Sequence, residues 1–193
     1  MNMNYKHGYL EVVLGPMYAG KTSHVMDLYR KYNFCRLNTL VINHELDQRE
    51  GSESTLWSHD STKIPCTEVK TLSSVLTEAN ILKYSVFIIN EGQFFTDLSS
   101  TVLSLVNEHK KIVHVNGLDG DFKREKFGQL LDLIPHCDDV VKLKALCAVC
   151  RNGTKGLFTY RKSNEKEQVI IDTENMYIPV CRNCYNSMEK DKK

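Results

Sequence analysis

A single octapeptide narrows the architectures open to this chain: Gly15-Pro16-Met17-Tyr18-Ala19-Gly20-Lys21-Thr22 fits the pattern G-x-x-x-x-G-K-[ST]. Before it, Tyr9-Leu10-Glu11-Val12-Val13-Leu14 reads as a buried strand. After it, Val25, Leu28, Tyr29 and Tyr32 recur at helical spacing. Strand, glycine-bearing loop and helix is the order a phosphate-binding loop requires. The glycines allow a tight turn whose backbone N–H groups converge on phosphate oxygens, and the positive end of the helix dipole points to the same place. Residues 15 to 20 are therefore expected to cradle a nucleotide, with Lys21 reaching the β- and γ-phosphates. Thr22 is expected to offer its hydroxyl to Mg²⁺, which prefers hard oxygen ligands. A chance glycine-rich turn shares the bare pattern, but both flanks argue against it.

Apolar runs at Leu40-Val41-Ile42, Val86-Phe87-Ile88-Ile89 and Ile112-Val113-His114-Val115 are short and nearly continuous, as parallel strands covered on both faces require. Between them, Leu72, Val75, Leu76 and Ala79 form one helical stripe, and Leu98, Val102, Leu105 and Val106 another. The alternation predicts an α/β fold built on a P-loop, RecA-like parallel sheet. A chain of 193 residues holds one such domain and a small appendage. The pattern changes near Lys142, so residues 1–141 are expected to form the nucleotide-binding domain and 142–193 a smaller unit with a charged tail. The segment from Asp47 to Cys66 shows no period and predicts a long, mobile loop.

Lysine and arginine number 25 against 24 acidic residues, a formal net charge of +1, so no global basic field draws in nucleic acid. No stretch reads as a signal peptide or a membrane span, which points to a soluble, cytoplasmic protein with a small-molecule partner. Among seven cysteines, Cys147-x-x-Cys150 and Cys181-x-x-Cys184 bracket an insert of 30 residues. Together they predict a closed Cys₄ site for a structural zinc ion. A redox role is disfavoured because no thioredoxin-like unit precedes either pair. Within the insert, residues 156–160 and 168–171 read as short β-like runs. Cys35, Cys66 and Cys137 are expected to be small buried hydrophobes.

P-loop proteins usually end a second apolar strand in an acid that helps hold Mg²⁺. Here Val86-Phe87-Ile88-Ile89 runs into Asn90-Glu91-Gly92-Gln93-Phe94-Phe95, so an amide stands at the usual acid position and the acid comes next. Glu91 then either contacts the metal or takes the proton from an acceptor hydroxyl as general base. Asn90 brings no charge, yet its amide oxygen accepts a hydrogen bond from a metal-bound water.

With these features in this order, the chain resembles the type II thymidine kinases shared by cells and large DNA viruses, from about Tyr9 to Tyr185. The markers are the P-loop, Asp47-x-Arg49, His59-Asp60, Glu91-Gly92-Gln93-Phe94-Phe95, Gly117-Leu118-Asp119-Gly120-Asp121-Phe122, Phe127-Gly128, and Tyr177-x-x-x-Cys181-Arg182-x-Cys184-Tyr185. The resemblance implies a P-loop domain joined to a small zinc domain, whose insert forms a lasso over the nucleoside, and assembly as a homotetramer. It implies transfer of phosphoryl from ATP to the 5′-hydroxyl of thymidine. Glu91 matches the proton acceptor, with Lys21 and Arg49 also catalytic and Asp47 joining the P-loop at the nucleotide. Phe122, Phe127 and Tyr177 match positions enclosing base and sugar, with Phe94 also on the substrate. Met17, Leu118 and Thr159 match positions near the thymine methyl group, and the backbone of Val169, Ile170, Ile171, Asp172 and Thr173 would hydrogen-bond the base. Three positions depart from the family pattern: Asn90 for Asp, Asp172-Thr173 for Gly-Gly, and Lys126 for Pro. A nucleic-acid-binding ATPase and a disabled kinase relative are the rival readings. Near-neutral charge argues against the first, and the presence of Lys21 and Glu91 against the second.

Overall fold

The computed structural model describes residues 7–47, 55–57, 63–170 and 176–192. Arg49, His59, Asp60, Ile171, Asp172 and Thr173 lie outside the described residues. The core is a six-stranded parallel sheet of β1 (Tyr9–Leu14), β2 (Thr39–His44), β5 (Thr67–Val69), β6 (Val86–Ile89), β7 (Ile112–Gly117) and β8 (Asp139–Lys142). Their order across the sheet is β5-β2-β6-β7-β1-β8. The expected parallel α/β sheet is present, and the edge strands β5 and β8 add to it.

Strand alternation divides the apolar side chains between two layers. Leu10, Val12, Leu40, Ile42, Phe87, Ile89, Val113 and Val115 face one layer, covered by Leu98, Val102, Leu105 and Val106 of α3 (Leu98–Asn107). Tyr9, Val41, Val86, Ile88 and Ile112 face the other, under Val25, Met26, Leu28 and Tyr32 of α1 (Lys21–Phe34). The predicted 98–106 stripe is thus one helix. The predicted 72–79 stripe is two pieces: a 3₁₀ turn over Leu72–Val75, then α2 (Glu78–Lys83). Thr77 divides them, because its hydroxyl accepts the N–H of Asn80 at 3.2 Å and restarts the helix. The Asp97 carboxylate holds the 3₁₀ turn by accepting the N–H groups of Leu72 and Ser73.

The loop expected from Asp47 to Cys66 contains a hairpin of β3 (Thr55–Trp57) and β4 (Lys63–Pro65). Leu56 and Ile64 bury themselves in the α1 layer, which fixes the strands that a lack of periodicity concealed. Cys66 is buried and Cys137 partly so, but Cys35 is exposed, correcting its reading as a core residue. It caps the C-terminal end of α1, where the chain turns out to solvent.

After β8 come two short ribbons, β9 (Ala145–Leu146) with β10 (Lys155–Gly156), and β11 (Phe158–Arg161) with β12 (Tyr177–Val180), then α4 (Arg182–Asp191). Residues 168–170 form no strand, contrary to expectation. The carbonyls of Glu165, Glu167 and Gln168 turn instead to the Arg161 guanidinium, which takes the place of a partner strand.

Beneath α1, Glu11 and His114 are register partners on neighbouring strands, with Glu11 Oε2 2.7 Å from His114 Nδ1. His114 Nε2 meets the Tyr32 hydroxyl at 2.7 Å, linking sheet to helix. The hydrogen bond to His114, helped by His24, draws the Glu11 carboxyl down to about 2. A carboxyl lowered on folding stabilises the fold fully above its unfolded value and loses that stabilisation as pH falls through the folded one. Glu11 therefore contributes stability at neutral pH that is lost between roughly pH 4.5 and 2. Thermal unfolding of wild type and Glu11→Gln across pH 2–7 checks this. The gap in Tm between the two is expected to close over that acid window.

Candidate active site

The site begins where β1 ends. Gly20 adopts φ 86° and opens α1 without a side-chain cap, leaving the helix N-terminus to a ligand. A non-glycine residue is strained in that left-handed region. Lys21 is buried, and its Nζ donates to the carbonyls of Gly15 and Pro16 at 3.1 and 2.9 Å. Thr22 is buried beside it on the first helical turn, while Tyr18 and Gly20 face solvent and Ala19 is half-buried. An open helix end and a buried lysine inside the loop fit a nucleotide's phosphates.

Two strands across, Glu91 follows β6 in a left-handed conformation, φ 53° and ψ 42°, unusual for a residue with a side chain. The residue is 6% exposed. Its Oε2 accepts from Gln93 Nε2 at 2.6 Å, and Gln93 Oε1 accepts the Leu118 N–H at 3.0 Å. Because Leu118 N–H only donates and the carboxylate accepts, the Gln93 amide has one possible orientation. Gly128 makes room for it: at φ +59°, a Cβ there would lie 2.1 Å from the Gln93 carbonyl oxygen. Asn90 donates from Nδ2 to Asn43 Oδ1 at 2.9 Å, and Asn43 Nδ2 donates to Asp47 Oδ2 at 3.2 Å. The buried Asn90 Oδ1 has no partner among the described residues, a geometry that suits a metal-bound water.

The substrate candidates fall into small groups. Met17 N–H donates to Thr159 Oγ1 at 3.0 Å, so the P-loop and the β11 ribbon touch directly. Phe94 and Phe127 pack edge to face with centroids 5.5 Å apart. Leu118 is buried next to Gln93. Phe122 lies under the Arg161 guanidinium, 3.7 Å from its ring centre, and Arg161 Nε and Nη2 donate to the Tyr177 hydroxyl at 2.9 and 2.6 Å. Phe122 also borders a cavity of about 500 Å³ shared with Tyr185 and residues 163–166. Val169 is exposed and Ile170 half-buried, the last described residues before position 171.

Arg161 is fully buried and makes contacts with two of the expected substrate aromatics and the carbonyls of Glu165, Glu167 and Gln168. The sequence reading does not single it out, nor Gln93, Asn43 or Asn116, whose Nδ2 donates to the Lys21 carbonyl. A polar residue closing an apolar run was the available signal for Asn43 and Asn116, the same one that marks Asn90. Nothing local marks Arg161 as buried.

Cys147, Cys150, Cys181 and Cys184 come together, with all four sulfurs within 4.8 Å of one another. Cys150 Sγ lies 3.3 Å from Cys184 Sγ and 3.7 Å from Cys181 Sγ. Four thiolates around one tetrahedral zinc stand about 3.8 Å apart, from Zn–S bonds of about 2.3 Å, so the donor set fits such an ion. Burial raises the Cys147 thiol, but the N–H groups of Cys150, Cys181 and Val149 outweigh it and bring it down to about 6. The hydrogen bond that the Cys184 thiol donates to Cys150 pushes Cys184 well up. Crowded sulfurs that must share protons are relieved when a cation takes their place. Among the described residues, no helix is long and apolar enough to cross a membrane.

The profile of the family described as Thymidine kinase matches residues 8–185. A thymidine kinase of Oryza sativa subsp. japonica is 39% identical over 182 residues, covering 92% of this chain and 66% of that protein, just under two thirds of its length. Thymidine kinases of Yaba monkey tumor virus (strain VR587) and Monkeypox virus are 37% and 39% identical, over 95% and 92% of this chain and 97% of each viral protein. A match that spans the P-loop, the Glu91 turn and all four clustered cysteines places this chain in the thymidine kinase family.

Proposed function

We propose that this chain is a thymidine kinase, transferring the terminal phosphoryl group of ATP to the 5′-hydroxyl of thymidine. The observation that carries this reading is the fixed geometry of Glu91. A carboxylate that is buried, held by the Gln93 amide and set at a strand end beside a P-loop suits a general base for a hydroxyl brought to that crevice. The P-loop N–H groups and Lys21 bind and orient the phosphates, and Arg49 joins Lys21 in neutralising their charge. Asp47 joins the P-loop at the nucleotide. Mg²⁺, when bound at Thr22 and near Asn90, would neutralise charge on the transferring phosphoryl group.

Phe94, Phe122, Phe127 and Tyr177 enclose the nucleoside, with Met17, Leu118 and Thr159 forming the slot for the thymine methyl. An apolar slot of this kind excludes water that would otherwise compete with the acceptor hydroxyl. The lasso backbone from Val169 to Thr173 holds the base. We infer two units dividing near residue 142, the second held by zinc on the four cysteines, and a homotetramer as the working assembly. Purified protein with ATP and Mg²⁺, tested against all the natural nucleosides, is expected to phosphorylate thymidine most efficiently by kcat/KM. Phosphorylation of a purine nucleoside in preference, or of none, would overturn the reading.

A further inference from the structure

Three asparagines stand at one level across three neighbouring strands. Ile42 pairs with Ile89 and Ile89 with Val115, so Asn43, Asn90 and Asn116 follow together, one residue further on. Alternation sends all three towards the α1 layer, where Val41 and Ile88, two residues earlier, already pack. They are 2%, 1% and 0% exposed, a depth at which amides are ordinarily satisfied. Yet both Asn90 Oδ1 and Asn116 Oδ1 are without a partner among the described residues.

The orientation of each amide follows from obligatory acceptors. Asn116 Nδ2 donates at 3.1 Å to the backbone carbonyl of Lys21, which only accepts, so its oxygen is left over at the first turn of α1 beside Thr22. The Asp47 carboxylate accepts from Asn43 Nδ2, leaving Asn43 Oδ1 to accept from Asn90 Nδ2. The Asn90 nitrogen is thereby turned towards β2 and its oxygen away from it, to the side of β7 and the P-loop. Two neutral oxygens await hydrogen-bond donors where a nucleotide would bring negative charge. Mg²⁺ keeps several of its waters when it binds with phosphates, and those waters are donors.

We propose that Asn90 and Asn116 form an uncharged seat for the water shell of the Mg²⁺ that accompanies ATP. Asn43, braced by Asp47, is the positioning residue that keeps the Asn90 oxygen turned to that shell. The inference rests on the kinase reading above and adds Asn43 and Asn116 to it.

Mn²⁺, a paramagnetic stand-in, is titrated into the protein with ATP and followed by electron paramagnetic resonance. ATP affinity without metal is measured in parallel by calorimetry in chelator. Asn116→Ala and Asn43→Leu are each expected to weaken Mn²⁺ in the ATP complex by about tenfold, as loss of an outer-shell partner does, with metal-free ATP affinity changing less than about twofold. Asn43→Leu leaves the contact with Lys21 intact and serves should Asn116→Ala not fold. Wild-type Mn²⁺ affinity in folded variants, or an equal loss of metal-free ATP affinity, overturns the proposal alone. Wild-type protein that binds no ATP with or without metal overturns the kinase reading and the proposal with it.

Discussion

Glu91→Gln is expected to lower kcat by about 10²-fold or more while ATP affinity stays near wild type. The substitution keeps the length and planarity of the side chain and removes its basicity together with its charge. The structure makes this a clean experiment, because the left-handed backbone at Glu91 and the contact from Gln93 are set by neighbouring chain rather than by the carboxylate charge. A glutamine can still accept from Gln93 through its carbonyl oxygen and occupy the same space. Single-turnover kinetics with thymidine separate the chemical step from product release. A turnover within a few-fold of wild type would remove Glu91 from the role of base.

Cys181→Ser is expected to reduce bound zinc from about one ion per chain to nearly none and to raise KM for nucleoside by about tenfold or more. Cys181 joins two structures at once: it follows β12 directly, and its N–H donates to Cys147 Sγ at 3.3 Å as α4 begins. Loosening it frees β12, and with β12 go Tyr177 and the paired strand carrying Thr159. The P-loop keeps its own bonds, so ATP affinity is expected to fall later and less. Elemental analysis alongside nucleoside and ATP titrations checks the order. Active wild-type protein that contains no zinc would end the assignment.

The parallel sheet was legible because its strands are buried on both faces, and double burial writes a continuous apolar run such as residues 86–89. The P-loop was legible because its chemistry demands particular residues at particular spacings. The 55–65 hairpin was not, since its strands are three residues each and only Leu56 and Ile64 are deeply buried. Arg161 was hidden for a different reason. A guanidinium buried against carbonyls, a phenol and an aromatic ring is satisfied by partners up to 39 positions away in sequence, from Phe122 to Tyr177, and no local pattern registers them. Asn90 could be seen to differ from the usual acid, but that its amide is aimed by Asn43 depends on strand register, which only the folded sheet supplies.

Lys21 holds two carbonyls of its own loop, and this bears on when its charge is used. In the proposed reaction the ammonium must let go of Gly15 and Pro16 as it takes hold of phosphate oxygens. The contacts given up offset part of those gained, so the ground-state gain is less than the phosphate contacts alone would supply. Charge accumulating on the transferring group alters only one side of the exchange. The lysine is therefore arranged to act on the rate of transfer more than on the retention of ATP.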